Sequence, residues 1–269
     1  KLWSVFMLNH YGAHMQNRWK SFSSDREILD EGILILKNYL TPMAQVDIVD
    51  MCEKWGAGPG GFYQPSDESG AQLPLHMMCF GRNWDPVTKY NNRYRSHDAS
   101  EPPPLPEELI SISQLAVEEA GRYLGEKFPS MSPDVCVVKF CSPSGTLGVH
   151  KECDESPDSL KKGLPVVSIF IGNSAEYLYG RTRGKKGLHK VLLESGDVLV
   201  FGGASRRIYH GFKEIVESSC PYLLMQATRL DSGCLNLTLK QAKGYITLKT
   251  YMIQLIDYRA DVELDPHSN

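Results

Sequence analysis

None of the chain's seven cysteines is paired at a CxxC spacing, and their number is odd, so a disulfide framework is not written into it. That usage fits a reducing compartment, which places the protein inside the cell, in the nucleus, the cytoplasm or both. No apolar run approaches the length of a membrane span, so no membrane association is expected. Charge of one sign is also missing: 29 Lys and Arg against 32 Asp and Glu leave a net charge of −3. Nucleic-acid binding therefore needs a local patch and not a global basic footprint. Arg181-Thr-Arg-Gly-Lys-Lys186 is one candidate, through Arg181 and Arg183, and the same run also fits a solvated turn between strands. Residues 56–61 hold four glycines with no GK[ST] after them, which makes a loop and not a phosphate cradle. An initiator methionine is lacking too. The chain opens at Lys1 and reads as a fragment, so the lack of a leader decides nothing.

What is present suffices for a packed core: 42% of residues are apolar and 23% charged. Residues 1–30 carry no period and read as an extension. Gly32-Ile-Leu-Ile-Leu-Lys-Asn-Tyr-Leu40 is apolar between turn residues, which suits a buried strand. Thr41-Pro42 then supplies an N-cap followed by proline at the first helical position, and Met43, Val46 and Val49 continue at helical spacing. Beyond the stiff Glu101-Pro-Pro-Pro-Leu-Pro106, Leu109, Ile112, Ala116, Ala120 and Tyr123 mark one face of a helix ending near Phe128.

From Val135 the period switches to two. Val135–Cys141, Val166–Gly172, 176–179, 190–193, Val198–Phe201, 208–212, Tyr222–Ala227 and 235–239 are eight short strand candidates, punctuated by Gly, Pro, Ser and Asp. The pattern predicts an α+β, mainly β fold: a double-stranded β-helix (jelly roll) buttressed by the N-terminal helices. The expected divisions are an extension over 1–30, helical support and a lid over 31–130, the jelly-roll core over 131–243, and a C-terminal extension over 244–269. Within the last, 244–257 is ambiguous between helix and strand.

His150 and Glu152 stand two apart, and His210 follows within Ser205-Arg-Arg-Ile-Tyr-His-Gly211. Two histidines and a carboxylate make a facial site that leaves positions open on a non-haem Fe(II). Side chains two apart leave the same face of a strand, so one short segment presents both ligands. Upstream, Trp84, Tyr90 and Tyr94 alternate with Arg93 and Arg95 on a turn-rich segment. They fit a base-stacking lid, or a hairpin whose aromatics pack on the core.

Several ordered blocks carry a resemblance: His150-x-Glu152, Pro165-Val-Val-Ser-Ile-Phe-Ile-Gly172, Leu193-Glu-Ser-Gly-Asp-Val-Leu-Val-Phe-Gly-Gly203, Tyr209-His-Gly211 and Asn236-x-Thr238-x-Lys-Gln241. Over roughly 135–242 the chain resembles AlkB-type Fe(II)- and 2-oxoglutarate-dependent nucleic-acid dioxygenases, and its Gly-rich amino half looks most like plant members. The resemblance implies Fe(II) held by His150, Glu152 and His210, with 2-oxoglutarate as cosubstrate. It implies methylated DNA or RNA as the partner, and oxidation of an N-methyl group that leaves as formaldehyde. Asn236 is then a cosubstrate contact, Asp154 and Glu155 lie on the base-binding side, and Trp84, Tyr90 and Tyr94 belong to the lid. Nothing in the sequence indicates a protein partner.

Departures from the family pattern cluster at the same site. Glu152 stands where the family has Asp, and its extra methylene moves the carboxylate by on the order of 1.5 Å, against a tolerance of about 0.2 Å in metal–ligand distances. Lys139 and Cys141 replace a cosubstrate-contacting Asn and Tyr. Cys234 and Lys240 stand where the family's last motif has two arginines. A thiol cannot replace a bidentate fork, and lysine keeps the charge without the planar geometry. A cation gained at Lys139 offsets the one lost at Cys234 if both face the pocket. Cys141 and Cys234 could also lie together and bind a soft metal or oxidise, although burial of small thiols explains them equally. Two functions remain open: an oxidative demethylase, or an AlkB-fold module that binds nucleic acid or a protein without turnover.

Overall fold

The computed structural model describes residues 19–21, 25–125, 128–143, 145, 148–184, 187–230 and 232–243. The extension over 1–18, Lys185 and Lys186 of the basic run, and the ambiguous 244–257 lie outside them. After β1 (Arg26–Asp30), β2 (Ile33–Leu36) takes the first half of the predicted buried strand. The run breaks at Asn38, whose φ of 49° no strand tolerates. Helix α1 (Pro42–Gly56) starts as its sequence dictates: the Thr41 hydroxyl accepts from the Ala44 amide at 3.1 Å, and Pro42 needs no partner for its nitrogen. Ala44, Ile48, Val49 and Cys52 are buried, while Met43 is 62% exposed. Strand β3 (His76–Phe80) precedes α2 (Glu107–Leu124), which ends before Phe128. Tyr123, expected on the buried face of α2, is 44% exposed, its ring covered by the Arg26 guanidinium of the edge strand at 4.5 Å.

The remaining elements are β4 (Val135–Cys141), α3 (Pro157–Lys161), β5 (Val166–Gly172), β6 (Ala175–Gly180), β7 (His189–Leu193), β8 (Val198–Phe201), β9 (Tyr209–Ile215), α4 (Tyr222–Ala227) and β10 (Cys234–Lys240). Seven of the eight strand candidates are strands. The eighth, Tyr222–Ala227, is the helix α4, with Pro221 at its N-cap. Tyr-Leu-Leu-Met-Gln-Ala holds no β-branched residue and five good helix formers, so apolarity without β-branching was the misleading signal.

All pairings are antiparallel, in a seven-stranded sheet ordered β1-β2-β8-β5-β10-β4-β3 and a three-stranded sheet ordered β7-β6-β9. Period two divides the long strands between two cores. Leu235, Leu237 and Leu239 of β10, with Cys136 and Val138 of β4, pack beneath α1 and α2. Cys141 and Cys234 join Ile33, Phe170, Tyr177 and Phe212 between the sheets. The register sets Cys234 opposite Cys141 and Asn236 opposite Lys139, so the inner face of two central strands carries the polar residues.

The entry into β10 tests this register. Gly233 has φ +80°, and a Cβ there would stand 2.4 Å from the Cys141 carbonyl oxygen. Gly233→Ala is expected to lose about 1–3 kcal/mol, seen as a lower urea midpoint at unchanged slope.

Candidate metal centre and the cavities beside it

The backbone seats two of the three candidate ligands together. His150 and His210 form an isolated antiparallel bridge, each amide donating to the other's carbonyl at 2.9 Å. Directly opposed side chains share a face, and the imidazole centroids lie 4.9 Å apart. Glu152, two residues on, completes the set: ligand atoms of His150, Glu152 and His210 all fall within 4.8 Å of one another. His150 Nδ1 lies 2.9 Å from the Gly148 carbonyl oxygen, which fixes the ring and leaves Nε2 toward the cluster. That Nε2 and His210 Nδ1 are buried without a hydrogen-bond partner. Burial, followed by the neighbouring His150, pushes the His210 pKa down to about 3 against the pull of Glu152. Two imidazole nitrogens beside a carboxylate, that of His210 held neutral by burial, are a donor set that fits Fe(II).

Glu152 is also held by cations. Its Oε2 is ion-paired to Lys240, and its Oε1 lies 3.6 Å from Lys139 Nζ and 3.5 Å from His150 Nε2. Burial opposes its charge, but Lys240 and Lys139 hold the carboxyl well below the usual range. Lys240 Nζ meets Glu155 Oε1 at 3.0 Å, and Arg206 Nη2 meets Glu155 Oε2 at 2.8 Å. Arg206 Nη1 donates to the Glu152 carbonyl oxygen at 2.5 Å. Three cations thus face two carboxylates in the buried cluster, an excess that suits an anionic ligand.

Two cavities share Lys139, His150 and Glu152 as a common wall. The inner one is lined further by Cys141, Ser168, Asn236 and Thr238. Their polar atoms form a slack chain, Ser168 to Thr238 at 3.4 Å, Thr238 to Asn236 at 3.2 Å and Asn236 to the Ile169 carbonyl at 3.3 Å, free to exchange for a ligand. With Lys139 as the cation, this chemistry fits a 2-oxo carboxylate. Cys234, buried opposite Cys141, brings no charge to it.

The outer cavity is walled by Leu75, Met77 and Val137, with Trp84 and Tyr90 across it. Trp84 Nε1 donates to Asp154 Oδ2 at 2.7 Å, and Lys89 Nζ stands 3.5 Å from Asp154 Oδ1. Trp84, Tyr90 and Asp154 therefore gather at one cavity. Four other residues do not. Glu155 faces inward to Arg206 and Lys240 with its side chain wholly buried, because two cations hold it there. Tyr94 is half exposed and covered by Arg93, outside the cavity lining. Arg181 pairs with Asp30, and Arg183 is exposed beside it on the β6–β7 turn, so the solvated-turn reading fits both. Sequence reasoning missed Lys89 and the part of Arg206. The arginine sat in view within Ser205-Arg206, but nothing pointed it at Glu155.

The aromatic segment before α2 is pinned by a buried arginine. Arg95 donates to the Gly61 carbonyl oxygen at 2.6 Å and pairs with Asp98 at 2.5 Å. Burial opposes the Asp98 charge, but Arg95 and the Ser100 amide hold its pKa down at about 2. A depressed carboxyl contributes stability above its unfolded pKa of about 3.9, and that stability is lost as pH falls through about 2. Asp98→Asn should flatten the acid limb of stability in that window, measured by urea unfolding at stepped pH.

Fold and donor set together define a jelly-roll protein built around a two-histidine, one-carboxylate centre. The model of the 2OG-Fe(II) oxygenase superfamily matches residues 32–240, and the chain belongs to that superfamily as an AlkB-like member. It is 44% identical over 227 residues to the Arabidopsis thaliana DNA N(6)-methyladenine demethylase ALKBH1D, covering 81% of this chain and 51% of that one. It is 33% identical to the Escherichia coli (strain K12) alpha-ketoglutarate-dependent dioxygenase AlkB, covering 71% and 84%. The solved structure of OsALKBH1 superposes with a TM-score of 0.76 at 42% identity, covering 81% of this chain and all of that one. The chain spans about half the length of the Arabidopsis relatives it matches. Among the described residues no helix is long and apolar enough to cross a membrane.

Proposed function

We propose that this chain carries Fe(II)- and 2-oxoglutarate-dependent oxidative demethylation of N-methylated bases in DNA or RNA. The observation that carries the reading is the convergence of His150, Glu152 and His210, the first two in the wall between an anion-suited inner cavity and an aromatic outer one and the third on the inner side. The three ligands would hold Fe(II), which with the cosubstrate supplies the oxidising power for a C–H bond of the methyl group. Lys139 and Asn236 orient the cosubstrate carboxylate, while Thr238 and Ser168 offer hydroxyls to it. Trp84 and Tyr90 stack an extruded base, and the Trp84–Asp154 bond keeps that wall in place. Leu75, Met77 and Val137 keep water from the methyl group. Relatives named as N(6)-methyladenine demethylases favour methylated adenine as the substrate.

The ion pairs on Glu152 carry a second reading, in which Lys240 and Lys139 satisfy the carboxylate and the chain binds nucleic acid without turnover. Incubation with Fe(II), 2-oxoglutarate and an N-methylated oligonucleotide decides between them. Formaldehyde and succinate released in equal amounts are expected. Oligonucleotide binding without either product selects the second reading.

A further inference from the structure

We propose that Cys141 and Cys234 form a peroxide-responsive dithiol that closes to a cross-strand disulfide at the inner cavity. The two residues are direct partners in the β4–β10 ladder, 0% and 1% exposed, on the same inner face. Directly opposed residues of an antiparallel pair have Cα atoms about 4.5 or 5.5 Å apart, and both values lie within the disulfide range of about 4.4–6.8 Å. The Cβ atoms of such pairs are about 4.5–5.5 Å apart, slightly wider than a relaxed bridge, so the bond is readily reduced. The neighbouring Cys234 thiol favours ionisation at Cys141, burial opposes it, and Lys139 helps. Cys141 lines the inner cavity, which gives a small oxidant a route to a buried sulfur.

The chemistry balances with hydrogen peroxide as the oxidant. The Cys141 thiolate attacks one peroxide oxygen, the O–O bond breaks, and the leaving hydroxide takes the thiol proton as water. The sulfenic acid so formed is attacked by the Cys234 sulfur, the S–S bond forms, and a second water leaves. Two thiols lose two electrons and two protons, and peroxide becomes two waters. Cys153, although exposed, has its thiolate disfavoured by partial burial and by Asp154 and Glu155, so exposure alone does not make it the first target.

The test uses the wild-type chain with a metal chelator present, treated with graded hydrogen peroxide, then denatured, alkylated and mapped by mass spectrometry. The expected result is two of the seven thiols lost together, with one cross-linked peptide pair joined through Cys141 and Cys234, two hydrogens lighter than its parts and restored by dithiothreitol. In Cys234→Ser, Cys141 is expected to stop at a sulfenic acid trapped by dimedone. Full alkylation of both residues at peroxide doses that oxidise any other cysteine overturns the proposal, as does a cross-link through a different pair. Sulfur mass is the readout, so the result stands apart from whether the chain demethylates.

Discussion

Lys240→Met is expected to remove about 3–5 kcal/mol of folding stability, the largest loss of any single substitution at the site. The Lys240 ammonium is 1% exposed and lies between Glu152 and Glu155, above the ring of Tyr90 at 5.1 Å. Burial disfavours its charge, yet Glu152, Tyr90 and Glu155 hold its pKa well above the usual lysine value. Methionine fills the space and supplies no cation, so Glu155 keeps only Arg206 and Glu152 only Lys139 at 3.6 Å. Two buried carboxylates that each lose a close cation are the source of the cost. Urea unfolding measures it. The double variant Lys240→Met with Glu152→Gln should recover part of the loss, because the closest ion pair is then removed as a pair while Glu155 keeps Arg206. Equal stability for wild type and Lys240→Met would mean that the cluster is not ionised as described.

Some of this site was legible in the sequence and some was not, for reasons that differ by residue. The resemblance to the AlkB pattern brought Lys139, Cys141, Cys234, Asn236 and Lys240 to one pocket, and the two-residue spacing of Lys139 and Cys141 set both on one face of their strand before any pairing was known. His150-x-Glu152 with His210 located the centre through the chemistry that those donors share. Long-range partners were not legible. Glu155 reads as one more acidic residue beside the ligands, and only the fold brings Arg206 and Lys240 to it from elsewhere in the chain. The offset expected from Lys139 was half visible: the lysine does face the inner cavity, but its first neighbour is Glu152. Tyr222–Ala227 failed for a local reason, since apolar content was weighed above the absence of β-branching.

His210→Ala is expected to lower Mn(II) affinity by on the order of 100-fold or more, since even partners behind a ligand cost 10–100-fold when removed. His210 is the informative ligand to remove because it carries no charge at neutral pH, so its loss leaves no cation or anion stranded. Phe201 and Tyr177 pack against its ring and keep the site walled after truncation. Removing Glu152 mixes two effects, since both Lys240 and Lys139 then lose a partner. Lys139→Met separates them from the other side. It deletes a cation 3.6 Å from Glu152 Oε1 that repels a divalent ion, and should raise Mn(II) affinity by about tenfold while weakening 2-oxoglutarate binding. Calorimetric titration with Mn(II), alone and then with 2-oxoglutarate, reads both changes on one protein. Mn(II) uptake by His210→Ala at wild-type affinity would place the metal elsewhere and leave the three converging side chains as an ion-pair cluster.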